Sequence, residues 1–230
     1  VFQNQQLRQA LAGIARENVT VPSGGLYAAA KGLVPEGLTV DGLDYRDAAG
    51  DPLPTISEPK ALYLAARQGM ATSDFSGVTL LLPKNAGLSE LADQINSAWQ
   101  KECSLFFSVE EVEQDEFDAR IAAGKYTIAL APIRAEGGSV YQMLQQFTAA
   151  GGSLTGYADT VYADRLALSA QQTGKDRCAL LAQCERQLLE SCTVVPLMAQ
   201  QKRLLLANGV RDLVFDPFFP VLDLTWAKMS

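Results

Sequence analysis

The stretch from Val78 to Ala131, VTLLLPKNAGLSELADQINSAWQKECSLFFSVEEVEQDEFDARIAAGKYTIALA, decides the fold class. It opens on Val78-Thr79-Leu80-Leu81-Leu82-Pro83, an apolar run of strand length. Over residues 87–101, Leu88, Leu91, Ala92, Ile95 and Trp99 recur at helical spacing and predict an amphipathic helix with that stripe facing inward. Phe106 to Val112 reads as a second strand. Asp115 to Ala123 reads as a short helix that carries Phe117 and Ile121 and stops at Gly124. Tyr126-Thr127-Ile128-Ala129-Leu130-Ala131 is a third strand, apolar enough to be expected at the centre of a sheet covered on both faces. Strand, helix, strand, helix, strand is the pattern of an α/β unit with helices packed on a sheet.

Outward from this unit the same periodicities continue. Upstream, Leu7, Ala10, Leu11, Ile14 and Ala15 predict a helix over 4–17 with Asn4 as its N-cap. A helix is expected over 58–69, ending at Gly69, and the Gly-, Pro- and Asp-rich residues 41–59 before it read as a long loop. Downstream, helices are expected near 139–147, 160–171 and 175–191, and strands at 193–199 and 203–207. Nothing in this order marks an internal boundary, so residues 1–230 are expected to form a single domain.

Composition narrows the chemistry. The 230 residues carry 26 acidic and 19 basic side chains, a net charge of −7, which argues against a surface built for phosphate backbones. Zero histidines exclude Ser-His-Asp and Cys-His triads, histidine-ligated zinc and a histidine general base. Cys103, Cys178, Cys184 and Cys192 lack C-x-x-C spacing and read as buried thiols; Cys178 and Cys192 lie on a helical apolar stripe and Cys184 off it. No apolar run is long enough to cross a bilayer. The opening Val1-Phe2-Gln3-Asn4 has no Met, basic n-region or apolar h-region, so the chain is expected to be a piece of a longer one.

Several short segments, taken in order, are similar to one known family. Asn4-Gln5-Gln6-Leu7-Arg8-Gln9-Ala10-Leu11 resembles the opening helix of the C-terminal lobe of the family 5 extracytoplasmic solute-binding proteins, the oligopeptide, dipeptide and nickel receptors of ABC importers. Leu33-Val34-Pro35-Glu36-Gly37, Pro59-Lys60-Ala61-Leu62-Tyr63-Leu64, Leu91 to Trp99, Gly156-Tyr157-Ala158-Asp159 and Val194-Val195-Pro196-Leu197 are similar to later motifs of that lobe. The resemblance implies a mixed sheet covered by helices, forming one lobe of a periplasmic-binding-protein-like type II clamp whose N-terminal lobe lies outside this sequence. It further implies a non-catalytic receptor, without a cofactor, that binds a small peptide-like solute between its lobes. The implied partners are that N-terminal lobe and a membrane permease, and the implied location is outside the cytoplasmic membrane, periplasmic or lipid-anchored. One departure concerns the solute. The peptide receptors often place an Asp-Pro near the end of the third strand, whereas here the stretch is Ala131-Pro132-Ile133-Arg134-Ala135-Glu136. Either Glu136 takes the cation-binding role, or the ligand is not a free-amine peptide.

In open α/β sheets, ligands sit beyond the carboxyl ends of the strands, and the Arg134–Gly138 loop holds that place. Arg134 offers a planar fork for a carboxylate, Glu136 a cation partner, and Gly137 close backbone approach. Tyr157 and Asp159 are candidates to line the same cleft. Each has a plainer reading: a solvated Arg–Glu pair, a Gly-Gly turn into a helix, a tyrosine packing anchor. Trp99 is expected in the core. Three other classes stay open: a hydrolase using Glu110-Glu111 or Asp115-Glu116, a ligand-sensing domain of a regulator, and a protein-interaction domain.

Overall fold

The computed structural model describes residues 2–134, 138–152, 154–201, 204–215 and 222–229. The predicted α/β unit is present. Strands β4 (Thr79–Pro83), β5 (Ser108–Val112) and β6 (Ile128–Ala129) form a parallel sheet in the order β5-β4-β6. Helices α4 (Ser89–Cys103) and α5 (Gln114–Ala122) make the crossovers. Alternation along β4 explains why it takes the middle. Leu80 and Leu82 pack with Ala92 of α4 on one face, and Leu81 packs with Val112 and Phe117 on the other. The expectation that the third strand would be central is corrected: β6 is two residues long, half-buried, and paired to β4 alone. Three consecutive leucines supply two apolar faces, whereas 126–131 alternates with the exposed Thr127 and Ala131.

Around this sheet lie α1 (Gln5–Asn18) and α3 (Pro59–Ala66), which pack against each other and against α4. Asn4 caps α1 as predicted, its Oδ1 accepting from the Leu7 N–H at 3.2 Å. Phe107, at the foot of β5, anchors this half of the core. Trp99 meets it edge-on at 5.4 Å, and the Trp99 Nε1–H donates to the Leu11 carbonyl at 2.9 Å. The buried Asn96 amide donates to the Phe107 carbonyl at 2.9 Å and accepts from its N–H at 3.1 Å. Both polar groups of that backbone are thus satisfied inside an apolar cluster.

A second core joins α2 (Tyr45–Ala49), α6 (Val140–Gln145), α7 (Thr160–Ser169) and α8 (Gly174–Glu190). The stretch 41–59 is therefore not loop throughout. Strands β2 (Thr39–Val40) and β3 (Leu43–Asp44) pair across a tight turn, and Asp44 then caps α2, accepting from the Asp47 N–H at 3.0 Å. What holds this excursion is Glu185, fully buried on α8. Its carboxylate accepts from the Leu33 N–H at 2.8 Å, the Val34 N–H at 2.9 Å, the Tyr45 hydroxyl at 2.9 Å and the Arg46 guanidinium at 2.9 and 3.2 Å. Gly32 leaves room for this pair: a Cβ would lie 2.6 Å from Glu185 Oε1 and 2.7 Å from Arg46 Nη2, so a side chain there would displace them.

Strand β1 (Tyr27–Ala29) pairs antiparallel with β7 (Met198–Gln200). Residues 204–207, expected as a strand, are not one. The chain instead continues into two short antiparallel ladders, β8 (Val210–Arg211) with β11 (Lys228–Met229) and β9 (Val214–Phe215) with β10 (Leu222–Asp223). All four cysteines are buried and free, as predicted. Cys184 is buried too, because α8 is covered by α2, α6 and α7 rather than on one side.

Candidate functional site

Because β4, β5 and β6 are parallel, their carboxyl ends share one edge, and the segments 84–88, Glu113 and 130–134 leave from it. On that edge Lys84 continues β4, and its N–H donates to the Val112 carbonyl at 2.8 Å. Its Nζ meets Glu113 Oε1 at 2.8 Å, and this hydrogen bond holds the ammonium pKa above the ordinary lysine value. Glu111 accepts from Ser89 Oγ, at the start of α4, at 2.8 Å. Glu110 pairs with Arg120 of α5 at 2.7 Å, and Glu116 shares that guanidinium at 2.6 Å. The two neighbouring carboxylates of β5 therefore engage different helices, α4 and α5, and do not converge on a substrate. An acid–base pair at Glu110-Glu111 has no geometric support here.

The candidates from the sequence are placed as follows. Arg134 is exposed, four residues beyond Leu130, with Ile133 before it tucked against the second core. The Arg134 carbonyl accepts from Gln146 Nε2 at 3.2 Å. Glu136 and Gly137 lie outside the described residues. Gly138 has a left-handed φ of +64°, and Ser139 then caps α6 through its hydroxyl, which accepts from the Gln142 N–H at 3.3 Å. Close to the start of α7, Tyr157 stands edge-on to Tyr162 at 5.4 Å. Its hydroxyl accepts from Gln187 Nε2 at 3.3 Å and donates to Asp159 Oδ2 at 3.4 Å. Burial pushes the Tyr157 phenol pKa up, the hydrogen bond from Gln187 lowers it, and the nearby Asp159 carboxylate adds to the rise. Asp159 Oδ1 accepts from the Tyr162 N–H at 2.8 Å, the N-cap of α7.

Tyr157 and Asp159 thus come together, and both carry structural work. Arg134 makes no hydrogen bond to either; the hydrogen bonds beyond Gln146 lead to Leu154 and Tyr126 instead. The Gln146 carbonyl accepts from the Leu154 N–H at 2.8 Å, and the Leu154 carbonyl accepts from the Tyr126 hydroxyl at 3.0 Å. Sequence reasoning missed Lys84 and Ser89; the signal was their position directly after the strand Leu80-Leu81-Leu82-Pro83 and at the head of the next helix.

Among the described residues, two surface concavities stand out. One, of about 620 Å³, lies among α1, α3 and α4 and is lined by Ile14, Glu17, Glu58, Leu64 and Glu102 among others. The other, of about 380 Å³, lies between the end of α1, the 51–56 loop and the β1–β7 ladder. Neither includes Arg134, Tyr157 or Asp159. Among the described residues no group of three or more His, Cys, Asp or Glu could hold a metal ion, and no helix is long and apolar enough to cross a membrane.

Comparison with solved structures places this arrangement. The chain superposes on Burkholderia pseudomallei OppA with a TM-score of 0.70 at 18% identity, over 86% of this chain and 40% of that one. It has the fold of a peptide-binding protein of the ABC importers, in part. Against the pheromone receptor PrgZ, whose mode of peptide binding has been described, the TM-score is 0.73 at 17% identity, over 99% of this chain and 45% of that one. Listeria monocytogenes OppA bound to peptide gives 0.68 at 18%, over 100% and 45%. The chain therefore spans less than half the length of each of these three proteins. No family model and no curated protein matches the sequence.

Proposed function

We propose that this chain is one lobe of a non-catalytic solute receptor that serves an ABC importer. The observation that carries the reading is the likeness to peptide-binding proteins more than twice its length, over 99–100% of this chain and 45% of theirs in two cases. The shape of the site supports it. The carboxyl edge of the sheet carries anchored loops and helix starts, a surface suited to form one wall of a cleft. The solute is peptide-like and lies between this edge and a second lobe formed by polypeptide preceding Val1. Arg134, Glu136, Gly137, Tyr157 and Asp159 are the residues proposed to bind it, with Arg134 as the carboxylate partner. Contacts to both lobes stabilise the closed state, so the grip comes from shape and polar contacts and no covalent step is involved. The receptor works outside the cytoplasmic membrane, periplasmic or lipid-anchored, and hands the solute to a membrane permease. Nucleic acid is not a partner.

The test is to purify the longer protein that contains these residues under native conditions, denature it, and identify what is released by mass spectrometry. Short peptides or a related carboxylate-bearing solute are expected, and the same compound should rebind in calorimetry. A protein that releases nothing and binds no peptide from a random-sequence pool would remove the reading.

A further inference from the structure

Tyr157 and Asp159 stand at one end of a chain of side-chain hydrogen bonds that starts on α7 and passes through α8. Arg165 Nη1 donates to Gln187 Oε1, Gln187 Nε2 donates to the Tyr157 hydroxyl at 3.3 Å, and that hydroxyl donates to Asp159 Oδ2 at 3.4 Å. All four residues are half-buried. The groups at the two ends fix the sense of every link. A guanidinium holds donors only, so the Gln187 atom that meets Arg165 is the oxygen, and the amide nitrogen is left for Tyr157. An ionised carboxylate holds acceptors only, so the single hydroxyl proton of Tyr157 goes to Asp159. Asp159 Oδ1 accepts from the Tyr162 N–H at 2.8 Å. What stays open on the pair is then a lone pair on Tyr157 and the remaining lone pairs of the carboxylate, with no proton to offer.

We infer that Gln187 and Arg165 are positioning residues that make the Tyr157–Asp159 pair donor-selective: it takes a cationic, hydrogen-bond-donating group of the solute and turns away a carboxylate. This rests on the solute-binding role proposed above for Tyr157 and Asp159. Arg165 holds the Gln187 amide in one orientation, and Gln187 occupies the side of the Tyr157 oxygen from which the hydroxyl proton would otherwise reach a solute acceptor. Without that amide the hydroxyl can turn its proton to a carbonyl or carboxylate of the solute, and discrimination narrows. The solute is then bipolar, with a cationic group at Asp159 as well as the carboxylate assigned to Arg134.

The experiment uses the longer protein, freed of bound solute, and an arginine-free pool of random tetrapeptides mixed with the same pool acetylated on every amine. Peptides retained on ultrafiltration are counted by mass spectrometry. The wild type is expected to retain the free-amine pool about 10-fold or more over the acetylated one, as for one charge-assisted hydrogen bond. Asp159→Asn, which keeps the helix cap, should bring that ratio close to 1. Gln187→Leu should narrow it about 3-fold or more, whereas Gln187→Glu, whose carboxylate still accepts from Arg165 and draws the Tyr157 proton away from the solute, should keep it. Because the reading is a ratio, a variant that only loosens the structure weakens both pools alike and leaves it unmoved. An unmoved ratio in Gln187→Leu, or a ratio narrowed as much by glutamate as by leucine, overturns the positioning role. Should Gln187→Leu fail to fold, a narrowed ratio in Gln187→Glu alone overturns it. Equal retention of both pools by the wild type, or preference for the acetylated one, overturns the donor-selective pair and leaves the receptor reading standing. Retention of neither removes both.

Discussion

Glu185 shows how much a single side chain organises here. A carboxylate fully buried on α8 gathers two backbone amides, a tyrosine hydroxyl and an arginine that all belong to residues 33–46. The carboxylate and burial together push the Tyr45 phenol pKa well above its ordinary range, with burial the larger cause. Removing one partner of such a cluster strands the rest without water. Glu185→Ala is therefore expected to lower stability by about 3–5 kcal/mol, read from denaturant midpoints. A loss below about 1 kcal/mol would mean that the 31–50 excursion stands without it. The thiols give a second residue-scale expectation. Burial pushes Cys103, Cys184 and Cys192 up to about 11, so the folded protein holds protons that the unfolded chain releases near its ordinary thiol range. Their contribution to stability is complete below about pH 8.5 and is lost as pH rises toward 11. Melting temperatures taken from pH 8 upward should fall across that window, and serine at these positions should flatten the fall.

Elements show which features were legible in the sequence and which were not. The strand–helix alternation of 78–131 and the Asn4 cap could be read directly, since each depends on residues within a few positions of one another. The place of β6 could not be read that way, because strand order depends on which apolar run fills two faces at once, and Leu80-Leu81-Leu82 does so better than 126–131. The role of Glu185 was also hidden: its position between Leu181-Ala182 and Leu188-Leu189 puts it on the apolar stripe of α8, but the donors that satisfy it there lie some 139–152 residues away in sequence. At the site, Asp159 was legible as a candidate, while its capping work emerged only from the geometry. That double role can be separated. Asp159→Ala should cost about 1 kcal/mol by uncapping α7, whereas Asp159→Asn, an equally good cap, should stay within about 0.5 kcal/mol. If Asp159 also meets a cationic group of the solute, both variants should weaken binding in the longer protein. Equal affinity in the wild type and Asp159→Asn would leave it a cap only. Arg134→Ala, at an exposed position, should leave stability within about 0.5 kcal/mol while lowering solute affinity.

On the proposed function, the whole molecule is one side of a clamp. Two cores are well packed, the carboxyl edge of the β5-β4-β6 sheet carries anchored loops, and Leu205 and Trp226 stand exposed. A wall of this kind supplies part of the contacts that a bound peptide needs, and affinity falls steeply when the remainder is missing. Calorimetric titration of one peptide, identified from the longer protein, into that protein and into residues 1–230 alone tests this most directly. Micromolar or tighter binding is expected for the longer protein, with none detectable for the 230-residue chain. Comparable micromolar affinity in both would contradict a cleft shared between lobes.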